Sequence, residues 1–343
     1  VDREARMVSF EAFLVRAAGP LEVFLCGSKG RTHETVLAAT VAPGDLVEAL
    51  EALGLTPASR WAASERDLFS LQGDKVLIHV EGADGIRFLA EDLVLNDYEK
   101  RPMRPRGWTF HARRFGEGLP EEVEFTLTFK GLRGSPLSML DSAHAYRPFA
   151  NAPLVVRTEV VPKPEEGEET LPVRVVLEPV GEEEIAVRTL GQEGAPPASE
   201  EEREQILAIA RRIDGLKVRL AALEGEDELT VARRRQWTLE IETAYFDLDL
   251  LHESRERRAI ERREGDPDEG LRDWKEFIRE VLTTYQASSA AEARAAEAAL
   301  RVLELRESGG EEIEIRRQEL RVEEEMARVD WLNLQPKLDE ARH

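Results

Sequence analysis

The spacing of apolar and polar positions changes character once along the chain. Up to about residue 190 apolar residues come in short runs or alternate with polar ones, the spacing of strands. From about residue 200 they recur every three and four positions, the spacing of helices. In the first part, residues 8–16 form a mixed apolar run that ends at Gly19-Pro20. Residues 21–26 and 35–41 read as the next two strands. Pro43-Gly44-Asp45 reads as a helix start, Leu46, Ala49, Leu50 and Leu53 share one face, and Gly54 stands where the helix should stop. Residues 75–81 alternate cleanly, with Val76, Ile78 and Val80 on one side. A turn at 82–85 returns the chain into 86–89, so this pair is expected to be a hairpin. Further strands are expected at 108–115, 122–130, 154–161 and 173–177, with the proline- and glutamate-rich 162–169 as an exposed loop.

Residues 191–199 read as a linker, since Gly194-Ala195-Pro196-Pro197-Ala198-Ser199 suits neither periodicity. Ser199 can cap a helix, and Glu202 stands at the capping-box position. Ile206, Ile209, Ile213, Leu216, Leu220 and Leu223 then form a seam of coiled-coil spacing. After Gly225 a second seam runs through Trp237, Ile241, Ala244, Leu248 and Leu251. After Gly265-Asp266-Pro267 a third runs through Leu271, Trp274, Ile278, Val281 and Tyr285, and an alanine-rich stretch carries it to Leu305. Past Gly309-Gly310, Ile315, Val322, Met326 and Val329 give a fourth. The expected architecture is α+β: a mainly β mixed domain over 1–190, a linker over 191–199, and an antiparallel helical coiled-coil or bundle domain over 200–343.

Composition narrows the function. The formal net charge is -22, a field that repels phosphate backbones, so nucleic acid is not an expected partner. The basic run Arg233-Arg234-Arg235 lies among acids on a helix and reads as a solvated face. A single cysteine excludes an internal disulfide and a cysteine-ligated iron–sulfur cluster within one chain. No apolar run approaches ~20 residues, so no spanning helix is expected.

The densest chemistry lies between residues 21 and 36, where the strand carrying Cys26 leads into the loop Gly27-Ser28-Lys29-Gly30-Arg31 and then His33-Glu34. A hairpin with its loop over 27–32 would bring Cys26, His33 and Glu34 together. A thiolate, an imidazole and a carboxylate suit Zn²⁺, and a Cys–His pair suits a nucleophile. Lys29 and Arg31, beside two glycines, would then hold an anion. Against this, His33-Glu34 is only half of a zincin motif, because the position four after His33 is Leu37. The Gly-Lys-Ser/Thr order of a P-loop is also absent, and no orienting group or oxyanion site completes a Cys–His pair. The plainer expectation is a buried strand cysteine and a turn that bonds to itself. His79 and His111 fall on strands and His144 in a loop, without metal-ligand spacing. Trp61, Trp108, Trp237, Trp274 and Trp331 are expected in core or seam positions.

Several segments carry a family resemblance. They are Gly19-Pro20-Leu21-Glu22, Cys26, Lys29, Thr32-His33-Glu34-Thr35-Val36, Pro43-Gly44-Asp45-Leu46 and 49–55, then Pro102-Met103, Trp108, Met139-Leu140-Asp141 and 172–179. On these residues the first 180 or so positions resemble the YdjY-like domain, a family of unknown function found widely in planctomycetes. The resemblance implies an exported protein, which fits a signal peptide removed before Val1 and a periplasmic or cell-surface location; the alternative is cytoplasmic. Some relatives carry a ferredoxin-like label, which a chain with one cysteine does not support. The expected function is non-enzymatic and structural, with protein partners or self-association through the helical half and no cofactor. The alternative is a metal- or thiol-dependent enzyme, with Zn, or an anion-binding module, built on Cys26, Lys29, His33 and Glu34.

Overall fold

The structure, a computed structural model, describes residues 1–15, 23–27, 35–41, 43–57, 73–96, 101–111, 128–130, 154–156, 170–192, 194–262 and 269–340. It divides into two compact units, Val1–Ala195 and Pro196–His343. The first is a mixed sheet with a few short helices and the second is helical, so the chain is α+β.

In the first unit the main sheet has the order β2 (Val23–Gly27), β3 (Thr35–Ala39), β1 (Val8–Leu14), β11 (Leu171–Val180), β4 (Lys75–Glu81), β8 (Trp108–His111), β9 (Thr128–Lys130). The short β5 (Arg87–Leu89) also pairs with β4, which is the expected hairpin. A three-stranded sheet joins β10 (Leu154–Val156), β6 (Val94–Asn96) and β7 (Arg101–Pro102). The strand segments expected at 112–115, 122–127 and 157–161, and the loop at 162–169, lie outside the described residues.

β11 is the hub, antiparallel to β1 on one side and to β4 on the other. Its alternation puts Val173, Val175 and Leu177 into the core. The register extends these into rows, Val8–Leu177–Ile78 and Phe10–Val175–Val80, and such cross-strand pairs are the unit of sheet stabilisation. Leu46 and Leu50 of α1 (Pro43–Ala52) belong to the same core, together with Phe24, Leu37, Trp108 and Phe110. Gly54 follows α1 with a φ of 81°, the left-handed conformation of a helix stop.

The sequence pattern did not announce α2 (Glu182–Gly191). Three acids open it, and Ile185, Ala186, Thr189 and Leu190 form its buried side. It is clamped to the segment at 103–107. Lys75 Nζ bonds both Glu182 and the Arg106 carbonyl at 3.0 Å, the Thr189 hydroxyl donates to the Pro105 carbonyl at 2.6 Å, and the Gln192 amide donates to the Met103 carbonyl at 2.8 Å. Gly107 has a φ of 64° directly under Ile185, so a glycine answers both the backbone conformation and the close approach.

Among the described residues the second unit has four helices: α3 (Glu200–Ala221), α4 (Glu228–Glu261), α5 (Glu269–Glu307) and α6 (Glu312–Glu340). At 1.5 Å per residue the 39 residues of α5 span about 58 Å. Each helix packs on the next in sequence. The α3–α4 seam joins Ile213 and Leu216 to Ile241, Ala244 and Tyr245, with Trp237 at its edge. Ala291, Ala295 and Ala298 are buried along α5, where small side chains permit close approach of a neighbour. Polar contacts fix the directions. Between α4 and α5 they are Arg233–Glu304 at 3.1 Å, Thr243–Ser289 at 2.9 Å and Asp247–Gln286 at 2.9 Å. Between α5 and α6 they are Arg306–Glu319 at 2.8 Å, Ser288–Asn333 at 3.2 Å, and Arg294 donating twice to Glu325 at 2.8 Å. As residue numbers rise on one helix they fall on the next, so neighbours run antiparallel.

The expected cap is present. The Ser199 hydroxyl accepts from the Glu202 N–H at 3.2 Å, and the Glu202 carboxylate accepts from the Ser199 N–H at 2.9 Å. That cap and the Arg258 guanidinium, also bonded to Glu202, hold its carboxyl below the usual range. Replacing Ser199 by Ala removes the acceptor for the first turn of α3. The expected loss is about 1 kcal/mol in the unfolding of the helical unit, read by urea titration of the helical circular dichroism signal.

Candidate functional site

Cys26 lies in β2 and is 2% exposed, packed in the core of the sheet unit. Burial pushes its thiol up to about 11, so at neutral pH the sulfur is protonated and a poor nucleophile. The other members of the candidate cluster, Lys29, His33 and Glu34, and the neighbouring Arg31, lie outside the described residues. The connection between the strands is nevertheless fixed at its ends. β2 and β3 pair in parallel, with Val23 opposite Thr35 and Cys26 opposite Ala38. The expected hairpin over 27–32 is therefore not the geometry formed. A hairpin would start β3 beside Cys26, whereas the parallel pairing starts it opposite Val23.

Among the described residues no three His, Cys, Asp or Glu side chains gather as metal ligands. His79 is buried on β4, and its Nε2 lies 3.2 Å from Glu178, whose carboxylate is also 3.6 Å from Arg87. Burial, with Arg87 and Arg188 adding to it, lowers the His79 pKa against the pull of Glu178. A neutral imidazole satisfied by a strand neighbour is a structural histidine. The side chain of His111, and all of His144, lie outside the described residues.

Trp108 is a core residue at 2% exposure, as the pattern suggested. Trp331 is not: it is 59% exposed on α6. Its position falls on the side of the helix away from buried Val329 and Ile315, so α5 cannot cover it. Trp61 and the side chain of Trp274 lie outside the described residues.

Several charged side chains are buried, among them Glu91 and the group Glu253, Glu256 and Lys275. Glu91, on the short 3-10 turn Ala90–Leu93, is 1% exposed. Its Oε2 and the indole Nε1 of Trp108 are both buried without a hydrogen-bond partner. Desolvation raises the Glu91 pKa from 4.5 to about 7, only partly offset by its own backbone, the nearby indole and the Arg106 backbone. No periodicity marks this residue, because it belongs to a single turn between two strands.

The second group is in the helical unit. Lys275 of α5 bonds Glu253 at 3.0 Å and Glu256 at 2.7 Å, and all three side chains are less than a tenth exposed. Here a signal existed in the sequence. The α4 stripe that begins at Ile241, Ala244, Tyr245 and Leu248 continues at the same spacing through His252, Arg255, Glu256 and Ile260. Charged residues at stripe positions of a long helix are a sign of buried ion pairs. Within this triad one ammonium bonds two carboxylates of the neighbouring helix, a geometry that fixes helix register.

No protein-family model, curated protein or solved structure matches the chain.

Two measurements follow from the buried charges. Between pH 4.5 and 7 the folded protein keeps a proton on Glu91 that the unfolded chain has released. That contribution is full below pH 4.5, declines by about 1.4 kcal/mol per pH unit through the window, and is gone above pH 7. Glu91→Gln is expected to remove this slope and to unfold later than the parent at pH 8, as read by urea midpoints from pH 5 to 8. Lys275→Met removes the ammonium that bonds both buried carboxylates and is expected to destabilise the helical unit by about 3–5 kcal/mol, measured in the same way.

Proposed function

We propose that the chain is a structural and interaction protein. In this reading the antiparallel helices act as a coiled-coil arm for oligomerisation or partner docking, and the YdjY-like sheet unit packs against or recognises a partner outside the cytoplasm. One observation carries the reading. The helical unit is longer than a small core requires, and its last helix presents Ile313, Leu320, Trp331 and Leu334 to solvent, each at least half exposed. Soluble surfaces scatter apolar side chains singly, and a row of them along one helix marks a contact surface. The chemistry of Cys26 supports the same side of the argument, because a protonated core thiol suits packing better than catalysis. No helix among the described residues is long and apolar enough to cross a membrane.

The test is gentle recovery of the chain from its native source, with particle mass and metal content read on one sample. The expected result is an assembly heavier than one chain that carries no stoichiometric metal. A free monomer with about one metal per chain, and an activity lost in Cys26→Ser or His33→Ala, would overturn the reading.

A further inference from the structure

The exposed row on α6 has a period. Ile313, Leu320, Ala327 and Leu334 recur every seven residues, and Trp331 stands four after Ala327. On an α-helix these five fall within an arc of about 60°. The opposite side carries buried Ile315 and Val329 and the Glu325 that bonds Arg294 of α5. So α6 has two seams, one filled by α5 and one open. In heptad terms the open seam has d positions at 313, 320, 327 and 334 and a positions at 317, 324 and 331.

We propose that this open seam docks on the same seam of a second copy of the chain, antiparallel, with the two-fold axis near Val322. The proposal rests on the reading of the helical unit as an interaction arm and names its partner.

Charge decides between arrangements. A parallel pair would stack Arg317 on Arg317 and Glu324 on Glu324 inside the seam, two layers of like charge. An antiparallel pair instead sets each a position against a d position of the second copy. With the axis near Val322, Trp331 meets Ile313, the Arg317 stem crosses the small Ala327, and the Glu324 stem lies along Leu320. The flanks match as well: Arg316 faces Asp330 of the second copy and Glu314 faces Arg328, and two-fold symmetry makes each pair twice. At the centre Arg321 and Glu323 each face their own copy, so the flanking charge fit comes from the ends of the seam. Arg316 now bonds Glu319 at 2.9 Å with more than half its side chain exposed, a contact weak enough to be exchanged. The paired seam from Ile313 to Trp331 is about 27 Å long, which suits a modest, reversible dimer.

The experiment is sedimentation equilibrium of the full chain over a range of concentrations, with circular dichroism confirming helix content in each variant. The parent chain is expected to show a monomer–dimer equilibrium. Leu320→Glu and Trp331→Glu, at positions half or more exposed, are expected to be monomeric. Arg316→Glu or Asp330→Arg alone is expected to weaken the dimer about tenfold, since each turns two attractive pairs repulsive, and the double reversal to restore it. A parent chain that stays monomeric at about 100 µM overturns the proposal, as does a dimer indifferent to these variants or a double reversal without rescue. If native assemblies persist with the Trp331→Glu chain, the proposal falls and the interaction reading stands. If the parent is a monomer both in vitro and in native extract, both fall.

Discussion

A long helix cannot cover its own apolar stripe, and a strand cannot satisfy its own hydrogen-bonding edge. Each needs a neighbour, and the number of neighbours decides what an element can be. β11 has two, β1 and β4, so it can carry Val173, Val175 and Leu177 into the core. Because β1 begins at Val8 and β11 at Leu171, this pairing joins distant parts of the sheet unit. Its cohesion therefore depends on contacts far apart in sequence. In the helical unit the same rule is met locally, each helix packing on the one that follows. That arrangement is simple to form, and it leaves the last helix with a side to spare.

Buried charge plays a different part in each unit. Lys275, Glu253 and Glu256 lie between two helices that apolar packing alone would allow to slide, since alanines and leucines fit several registers. An ion triad has one register in which its members meet, and any shift strands a charge in low dielectric. Arg294 and Glu325 do the same between α5 and α6 in a more exposed setting, their two parallel bonds raising the pKa of one and lowering that of the other. Glu91 has no such cation. It is held in the sheet unit at the cost of a raised pKa, beside the indole of Trp108.

The legible parts of this chain were those governed by periodicity. The α3 cap, the helix breaks at Gly225 and Gly309-Gly310, and the alternation of β4 all follow from spacing and local backbone chemistry. What escaped depends on which neighbour an element finds. The residues from 27 to 32 look like a hairpin turn, but the strands they join lie in parallel, because register is chosen by the sheet and not by the loop. α2 was hidden because its buried positions come in adjacent pairs within only ten residues. Trp331 looked like a seam residue because it follows the apolar spacing of the helix, and spacing alone does not say which stripe α5 covers. The candidate cluster was the least legible, since three of its four members fall outside the described residues and the fourth, Cys26, proved to be core.

That last ambiguity bears on function. Residues 21–36 drew attention for reactive side chains, and the last helix for the apolar spacing of Ile315, Val322, Met326 and Val329. Cys26 is enclosed by β-sheet packing and kept protonated, a state that favours neither metal binding nor attack on a substrate. The leucines and tryptophan of α6 are open, and an apolar residue left in water carries a standing free-energy gain for whatever covers it. A reactive side chain acts only where it is reached, whereas an exposed seam acts by being exposed. On that criterion the exposed α6 side chains support the proposed contact surface better than the enclosed thiol of β2 supports a catalytic one.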